Sequence, residues 1–306
     1  MKEAILPPTP RLSIAVVGAG AIGSTFAFHL ARAGHDVTAI ARPGSGRLHQ
    51  LQRDQGVVLV SGEKAGLRVA DRLDEDAAYD LVLVTLLAHQ VDAVLPALER
   101  SRAAAIQFMF NNFDPPRLSH AVGHGRCSFG MPFVMSTLRD DGRLQTTVNP
   151  GQKTLHGHAR WAELFSAAGL PSAFEVDMIL WLRCHVPMCI AMESVCVTAH
   201  RRGGGATWRE ALVVGRGLKA CFAIIKALGF PLYPSSKSML ASCPVWMLAC
   251  VLWLVSRVPS FRLLLSQGLL ECRALADVLA SAAAGAGATP KVPGLAADVL
   301  AMKPRA

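Results

Sequence analysis

The sequence has no CxxC pair among its eight cysteines, no basic run longer than the Arg201-Arg202 pair, and no low-complexity tract beyond SAAAGAGA at 281–288. Without paired cysteines at ligand spacing there is no zinc site to expect. Five of the thiols (Cys184, Cys189, Cys196, Cys221, Cys250) lie in apolar stretches, where buried, reduced side chains are the expectation. Without a basic cluster, the net charge of +9 does not point to nucleic acid, and small anionic ligands account for it better. The opening MKEAILPPTPRLS has a lone lysine followed by prolines where a secretory leader needs an apolar stretch, so a cytoplasmic protein is expected. The longest uncharged run, Met239 to Ser256, is near the lower limit for a membrane-spanning helix, but Pro244 interrupts it. A shorter helix starting at that proline suits a buried core or a dimer interface.

What is present is an apolar chain of 306 residues, 52% hydrophobic, enough for a full core and for two domains. Leu12 to Gly18, Asp36 to Arg42, Asp80 to Leu86 and Ala104 to Phe110 read as strands, with helices over Ser24 to Ala33 and Ala88 to Arg100. That alternation predicts a parallel α/β sheet. Hairpin texture follows: Ser128 to Leu138, a turn at Asp140-Asp141-Gly142, Arg143 to Val148, then Gln152 to Gly157 and a helix over Ala159 to Ala168. Beyond Pro171 long apolar helices take over, at about Met178 to His200, Thr207 to Leu228, Pro244 to Val255 and Ser260 to Ala284. The expectation is a Rossmann-type α/β domain over residues 1–170 and an all-α domain over 171–306.

The stretch VVGAGAIG joins the first strand to the first helix. Gly18 permits the tight turn, Gly20 lets backbone approach a pyrophosphate, and Gly23 lets the helix pack on the strand. With Ala19, Ala21 and Ile22 these residues form the expected phosphate cradle, whose unpaired helix N–H groups and positive dipole end favour an anion. An NAD site would place an acid at the end of the second strand, but Ala41-Arg42 stands there. A guanidinium pairs with a 2′-phosphate in two-pronged fashion, and Arg47 follows nearby, so NADP is the expected cofactor.

With VVGAGAIG, DLVLVTLLAHQV, FNN at 110–112, RDDGRL, LWLR at 180–183 and GLLECRALADVL in view, the chain resembles the ketopantoate reductase family along nearly its whole length. The resemblance implies NADPH and a small 2-oxo acid in the cleft between the two domains, carbonyl reduction by hydride, a place in pantothenate biosynthesis, and a homodimer. It also implies roles for particular residues. Asn111 matches the asparagine beside nicotinamide and substrate. Leu138, before RDDGRL, and Glu271 fall at cofactor-contacting positions, and Ser260 falls near the family's substrate-binding serine.

The chain departs from the family where the chemistry is done. The family's lysine in the VTLLAHQ stretch is Leu87, and its catalytic lysine, two residues after the tryptophan of LW, is Arg183. The asparagines one and two turns further on are Pro187 and Ala191, and the aspartate two positions after Glu271 is Arg273. Arg183 can bind a carboxylate or a carbonyl oxygen, but with a pKa above ~12 it is a poor proton donor. His185 is chemically apt, yet two residues along a helix turn it roughly 160° away from Arg183. A bound water is the other proton source, and Glu193, within CIAMESVCV, is read as half of a satisfied core pair or as a relay. Two rival readings remain open: an NADP-binding module without catalysis that serves as a sensor or binds a partner, and membrane-surface attachment through Trp246 and Trp253.

Overall fold

The computed structural model describes residues 10–285 and 292–305. The reading of the extreme N-terminus and the end of the SAAAGAGA tract lie outside the described residues. The chain divides into two units, one of residues 10–110 and 115–178, the other of 111–114 and from Ile179 onward. The boundary falls at Met178 rather than near residue 170 because the strand Ser172–Phe174 still belongs to the sheet of the first unit. Asn111–Asp114 group with the second unit although the flanking chain belongs to the first.

In the first unit the strands are β1 (Ser13–Val17), β2 (Asp36–Ile40), β3 (Gly56–Val58), β4 (Lys64–Gly66), β5 (Arg68–Ala70), β6 (Leu81–Val84), β7 (Ile106–Met109), β8 (Cys127–Met131), β9 (Met135–Leu138), β10 (Leu144–Thr147), β11 (Thr154–His156) and β12 (Ser172–Phe174). Eight of them form one sheet in the order β12-β11-β8-β7-β6-β1-β2-β5. All neighbours in it are parallel except β11 with β8. β6 and β7 are buried at every position, as strands covered on both faces must be. β1 lies between β2 and β6, so successive connections leave it in opposite directions, and a crevice opens at its carboxyl end.

The helices α1 (Ala21–Arg32), α2 (Gly46–Asp54), α3 (Leu95–Arg100), α4 (Pro115–Val122) and α5 (Ala159–Ala167) complete this unit. Phe26, Ala27 and Leu30 of α1 share a core with Ile14, Val16, Leu81 and Leu83 of the sheet and with Trp161, Leu164 and Phe165 of α5. The single strand expected over Ser128 to Leu138 is two: β8 joins the sheet, and past Pro132 β9 leaves it to pair with β10 across the Asp140-Asp141-Gly142 turn. A proline has no N–H for a ladder, which ends β8 there.

The second unit is helical: α6 (Met178–Arg201), α7 (Trp208–Ala227), α8 (Ser235–Ser242), α9 (Val245–Val255), α10 (Pro259–Leu265), α11 (Leu269–Gly285) and α12 (Val292–Ala301). α7 starts at a capping box in which Glu210 N–H donates to Thr207 Oγ1 at 3.2 Å and Thr207 N–H donates to Glu210 Oε2 at 2.7 Å. The uncharged run from Met239 to Ser256 does not form one straight helix, since α8 and α9 meet at 108° at the break before Pro244. α6 is itself long and apolar enough to cross a membrane, but 67% of its most apolar stretch is buried within the protein, which marks a core helix. The helix expected over Ser260 to Ala284 is broken by a 3₁₀ turn at Ser266–Gly268, where glycine weakens the helix. None of the eight cysteines forms a disulfide, and Cys189 and Cys250 are half-buried rather than buried.

Phe165 is fully buried and packs edge-on against Phe26, ring centroids 5.0 Å apart. Phe165→Ala is expected to cost about 3–5 kcal/mol of first-unit stability, read from the shift of its urea unfolding midpoint. A loss of less than about 1 kcal/mol would show that α5 does not lean on this contact.

Candidate functional site

In the first unit the three glycines of the β1–α1 turn have three different surroundings. Gly18 has φ +99°, a left-handed conformation that favours glycine. A Cβ on Gly23 would stand 2.3 Å from the Gly18 carbonyl oxygen and 2.4 Å from Thr85 Oγ1, so this position admits no side chain without moving backbone. A Cβ on Gly20 would meet nothing within 4 Å, so the space before the helix is open. Gly20 is the N-cap and offers no side-chain acceptor, and the first turn of α1 carries no acid. The leading amides of α1 therefore face that space without an intrahelical partner. These surroundings fit a pyrophosphate.

Arg42, just after β2, is exposed, and among the described residues its side chain has no hydrogen bond or ion pair. Arg47 is engaged differently. Its Nε donates to the Ala19 carbonyl at 2.9 Å, Nη1 to the Gly142 carbonyl at 2.9 Å, and Nη2 to Ser24 Oγ at 2.6 Å, with a further bond to Gln50. It fastens the glycine turn to the β9–β10 turn rather than facing solvent, and burial lowers its pKa to about 10, still cationic at neutral pH. Leu138, at the end of β9, packs against the apolar cluster that includes Ala19, Leu48 and Leu144.

In the second unit a polar group is gathered inside apolar helices. Asn111 Nδ2 donates to Glu271 Oε1 at 3.4 Å, and the Cys189 thiol donates to Asn111 Oδ1 at 3.2 Å. Asn111 and Glu271, far apart in the chain, are thus brought together. Burial pushes the Glu271 carboxyl up to about 7, and the Asn111 bond opposes this in part. Glu193, four residues after Cys189 and so on the same side of α6, is pushed up to about 9 by burial and by the neighbouring Glu271. Its Oε2 is buried without a hydrogen-bond partner, and its carboxyl lies where a Cβ on Gly268 would stand, 2.4 Å from Cδ. A carboxylate interacting with Glu193 is thus Glu271.

Arg183 is 7% exposed, with Cζ 3.7 Å from the centre of the Phe230 ring and 5.7 Å from that of Phe113. Among the described residues it has no salt bridge, and Nε is buried without a partner. Burial lowers its pKa and Asp114 opposes this, so the guanidinium stays charged. His185 stacks on Trp181 at 4.4 Å, and burial, with Lys237 adding to it, lowers its pKa to about 3. The imidazole is neutral at pH 7 and has no proton to spare as a cation. Ser260 stands exposed on α10, hydrogen-bonded to none of these residues.

Lys237 on α8 is the buried group that the motif reading passes over. It is 7% exposed, and Nζ lies against the Met188 thioether. Its one sequence signal is isolation: between Lys226 and Arg257 it is the single charged residue.

Residues 14–159 match the family model described as ketopantoate reductase PanE/ApbA. Over these residues the first unit is similar to the ketopantoate reductases that this model describes. A curated relative, 2-dehydropantoate 2-reductase of Vibrio cholerae serotype O1, is 29% identical over 170 residues, 55% of this chain and 52% of the relative. The match thus spans about half the length of that reductase. Solved structures carry the likeness over both units. A PanE/ApbA family ketopantoate reductase from Ralstonia eutropha JMP134 has a TM-score of 0.71 at 20% identity, covering 95% of this chain and 98% of that one. A D-mandelate dehydrogenase solved with NADH has 0.69 at 16%, covering 95% and 99%. The 2-dehydropantoate 2-reductase of Geobacter metallireducens GS-15 has 0.68 at 19%, covering 94% and 99%. At these identities the structures establish the fold alone: a Rossmann-type α/β unit followed by a helical one.

The raised Glu193 pKa has a consequence for stability. Folding holds this carboxyl neutral up to about 9, against 4.5 ordinarily, so the stability it supports is complete below 4.5 and is lost as pH rises towards 9. Glu193→Gln is therefore expected to leave stability near pH 5 unchanged and to raise it at pH 8.5 by something on the order of a few kcal/mol, read by urea unfolding at the two values. A difference independent of pH would show that the carboxyl ionises as it does in water.

Proposed function

We propose that the protein is an NADPH-dependent reductase of the carbonyl group of a small, anionic 2-oxo acid. The observation that carries this reading is Arg183, a buried guanidinium with no salt bridge among the described residues. An unpaired charge costs several kcal/mol to bury, about 3–5 kcal/mol when its partner is removed, and an anionic ligand removes that cost. A carboxylate adjacent to a ketone also has the planar shape that a guanidinium binds with two parallel hydrogen bonds.

The cofactor preference rests on Arg42 and on the absence of an acid at the end of β2. Gly18, Ala19, Gly20, Ala21, Ile22 and Gly23 would hold the pyrophosphate, and Arg42 the 2′-phosphate of the ribose. When bound, a reduced nicotinamide supplies the hydride. Arg183 would hold the substrate carboxylate, and the Asn111 amide, oriented by Glu271 and the Cys189 thiol, would donate to the carbonyl oxygen and stabilise charge developing there.

With Pro187 and Ala191 where family members carry asparagines, the acceptor has an apolar rather than a hydroxylated tail. D-Mandelate dehydrogenase, a structural relative at 16% identity, is named for a substrate of that aromatic type. We extend the reading to 2-oxo acids with aromatic or branched apolar side chains, used by a homodimer.

NADPH oxidation measured against a panel of 2-oxo acids tests the reading, with apolar-tailed members expected to turn over faster than hydroxylated ones. Tight NADPH binding without turnover of any member would favour the non-catalytic module instead. Arg42→Ala is expected to weaken NADPH binding about 10–100-fold and to leave NADH binding unchanged, by calorimetry. Equal losses for both cofactors would remove the 2′-phosphate assignment. Arg183→Met is expected to raise KM for the anionic acceptor at least about tenfold while NADPH affinity holds.

A further inference from the structure

Reducing a ketone consumes a proton as well as a hydride; the Glu271 carboxyl is engaged by Asn111 and the Glu193 carboxyl interacts with Glu271, and of the nitrogen groups named so far neither Arg183 nor His185 supplies one. Arg183 holds its proton too tightly, and His185 is neutral at working pH. Among the described residues Lys237 is a third buried nitrogen, and its setting is unusual for a lysine. Only 7% of it is exposed, it makes no ion pair among the described residues, and its hydrogen-bond partner is the sulfur of Met188, a weak acceptor. A lysine held this way gains little stability from its surroundings, and nothing in the packing of α8 on α6 requires an amine rather than a methionine.

Its neighbours place it in the polar group of the second unit. Lys237 interacts electrostatically with Cys189, whose thiol donates to Asn111 Oδ1, and with Cys184, the residue after Arg183. Cys184 is also among the groups acting on Arg183. The amine therefore lies against Met188, the residue before the thiol that donates to Asn111.

Resting on the reductase reading above, we propose that Lys237 is the proton donor of the reaction. The carbonyl carbon gains the hydride, forming a C–H bond as the dihydropyridine is oxidised to the pyridinium. The π pair moves to oxygen, which takes a proton from Lys237 Nζ to give the alcohol. The neutral amine regains a proton from solvent. Burial without a carboxylate partner lowers the lysine pKa towards the working range, which is what a proton donor requires. The titratable groups that act on it or that it acts on are Cys184, His185 and Cys189, all on α6. Burial keeps His185 neutral down to about 3 and raises the Cys189 thiol well above its ordinary value, so neither ionises across the neutral range.

Two measurements on the full chain test this. In the first, each lysine is acylated by acetic anhydride across a pH series and followed by peptide mass spectrometry, with no cofactor or substrate present. The proposal expects Lys237, once corrected for access in urea, to titrate below the exposed lysines; titration with them overturns it. In the second, the wild type, Lys237→Met and Lys237→Arg are compared with the best 2-oxo acid acceptor. Both variants are expected to bind NADPH as the wild type does and to lose kcat by about 10²–10⁴-fold. The alkaline fall of kcat, where the wild-type lysine loses its proton, is expected to vanish in both, and methylamine is expected to restore part of the Lys237→Met rate. Wild-type turnover with an unchanged rate and pH profile in Lys237→Met overturns the lysine assignment alone. A wild type that reduces no acceptor overturns the reductase reading and this assignment with it.

Discussion

The first unit depends on one contact between backbone and backbone. At Gly23 the helix α1 comes so close to the Gly18 carbonyl that a methyl group would stand 2.3 Å from its oxygen, and the Thr85 hydroxyl donates to that same oxygen at 2.8 Å. This closeness sets the height of α1 over β1 and β6, which lets Phe26 and Leu30 enter the core beneath. It also aims the leading amides at the open space in front of Gly20. Fold and anion cradle are therefore set by the same absence of side chains.

The second unit solves a different problem, the burial of polar groups in a shell of apolar helices. Asn111, Cys189 and Glu271 satisfy one another by hydrogen bonds, whereas Glu193, Arg183 and Lys237 are left with buried atoms poorly matched or unmatched. Unmatched buried groups cost stability, on the order of 1–3 kcal/mol for a neutral group and more for a charged one. That cost is better explained by a ligand that arrives to complete the set than by packing, which apolar residues would do at least as well.

How much of this was legible in the sequence varied with the range of the signal. The strand, glycine turn and helix at residues 12 to 33 are local, carried by periodicity and by residues whose conformational needs are known, and the sheet order that follows is the one such alternation favours. The hairpin turn at Asp140 to Gly142 was legible for the same reason. The break at Ser266–Gly268 and the helix α8 were not, because apolar runs there carry no contrast between a continuous helix and a bent one. Asn111, Arg183 and Glu271 were singled out by matching positions in a family pattern, and the structure brings Asn111 and Glu271 together. Lys237 was passed over because no motif surrounds it: its contact with Met188 is made by α8 lying against α6, which nothing in the intervening chain encodes. The neighbour of Glu193 was not legible for the same reason, since Glu271 is 78 residues away in sequence.

Arg47 gives the proposed nucleotide cradle a remote guarantor. Its guanidinium spans from the Ala19 carbonyl to that of Gly142, so the orientation of the phosphate-facing peptide is referred to a hairpin tip encoded more than a hundred residues downstream. A surface loop of that kind would ordinarily be free to lengthen, shorten or be cut. Here its length is a dimension of the proposed cofactor site, and a graft or circular permutation opened at Asp140–Gly142 would disturb dinucleotide affinity before it disturbed the core.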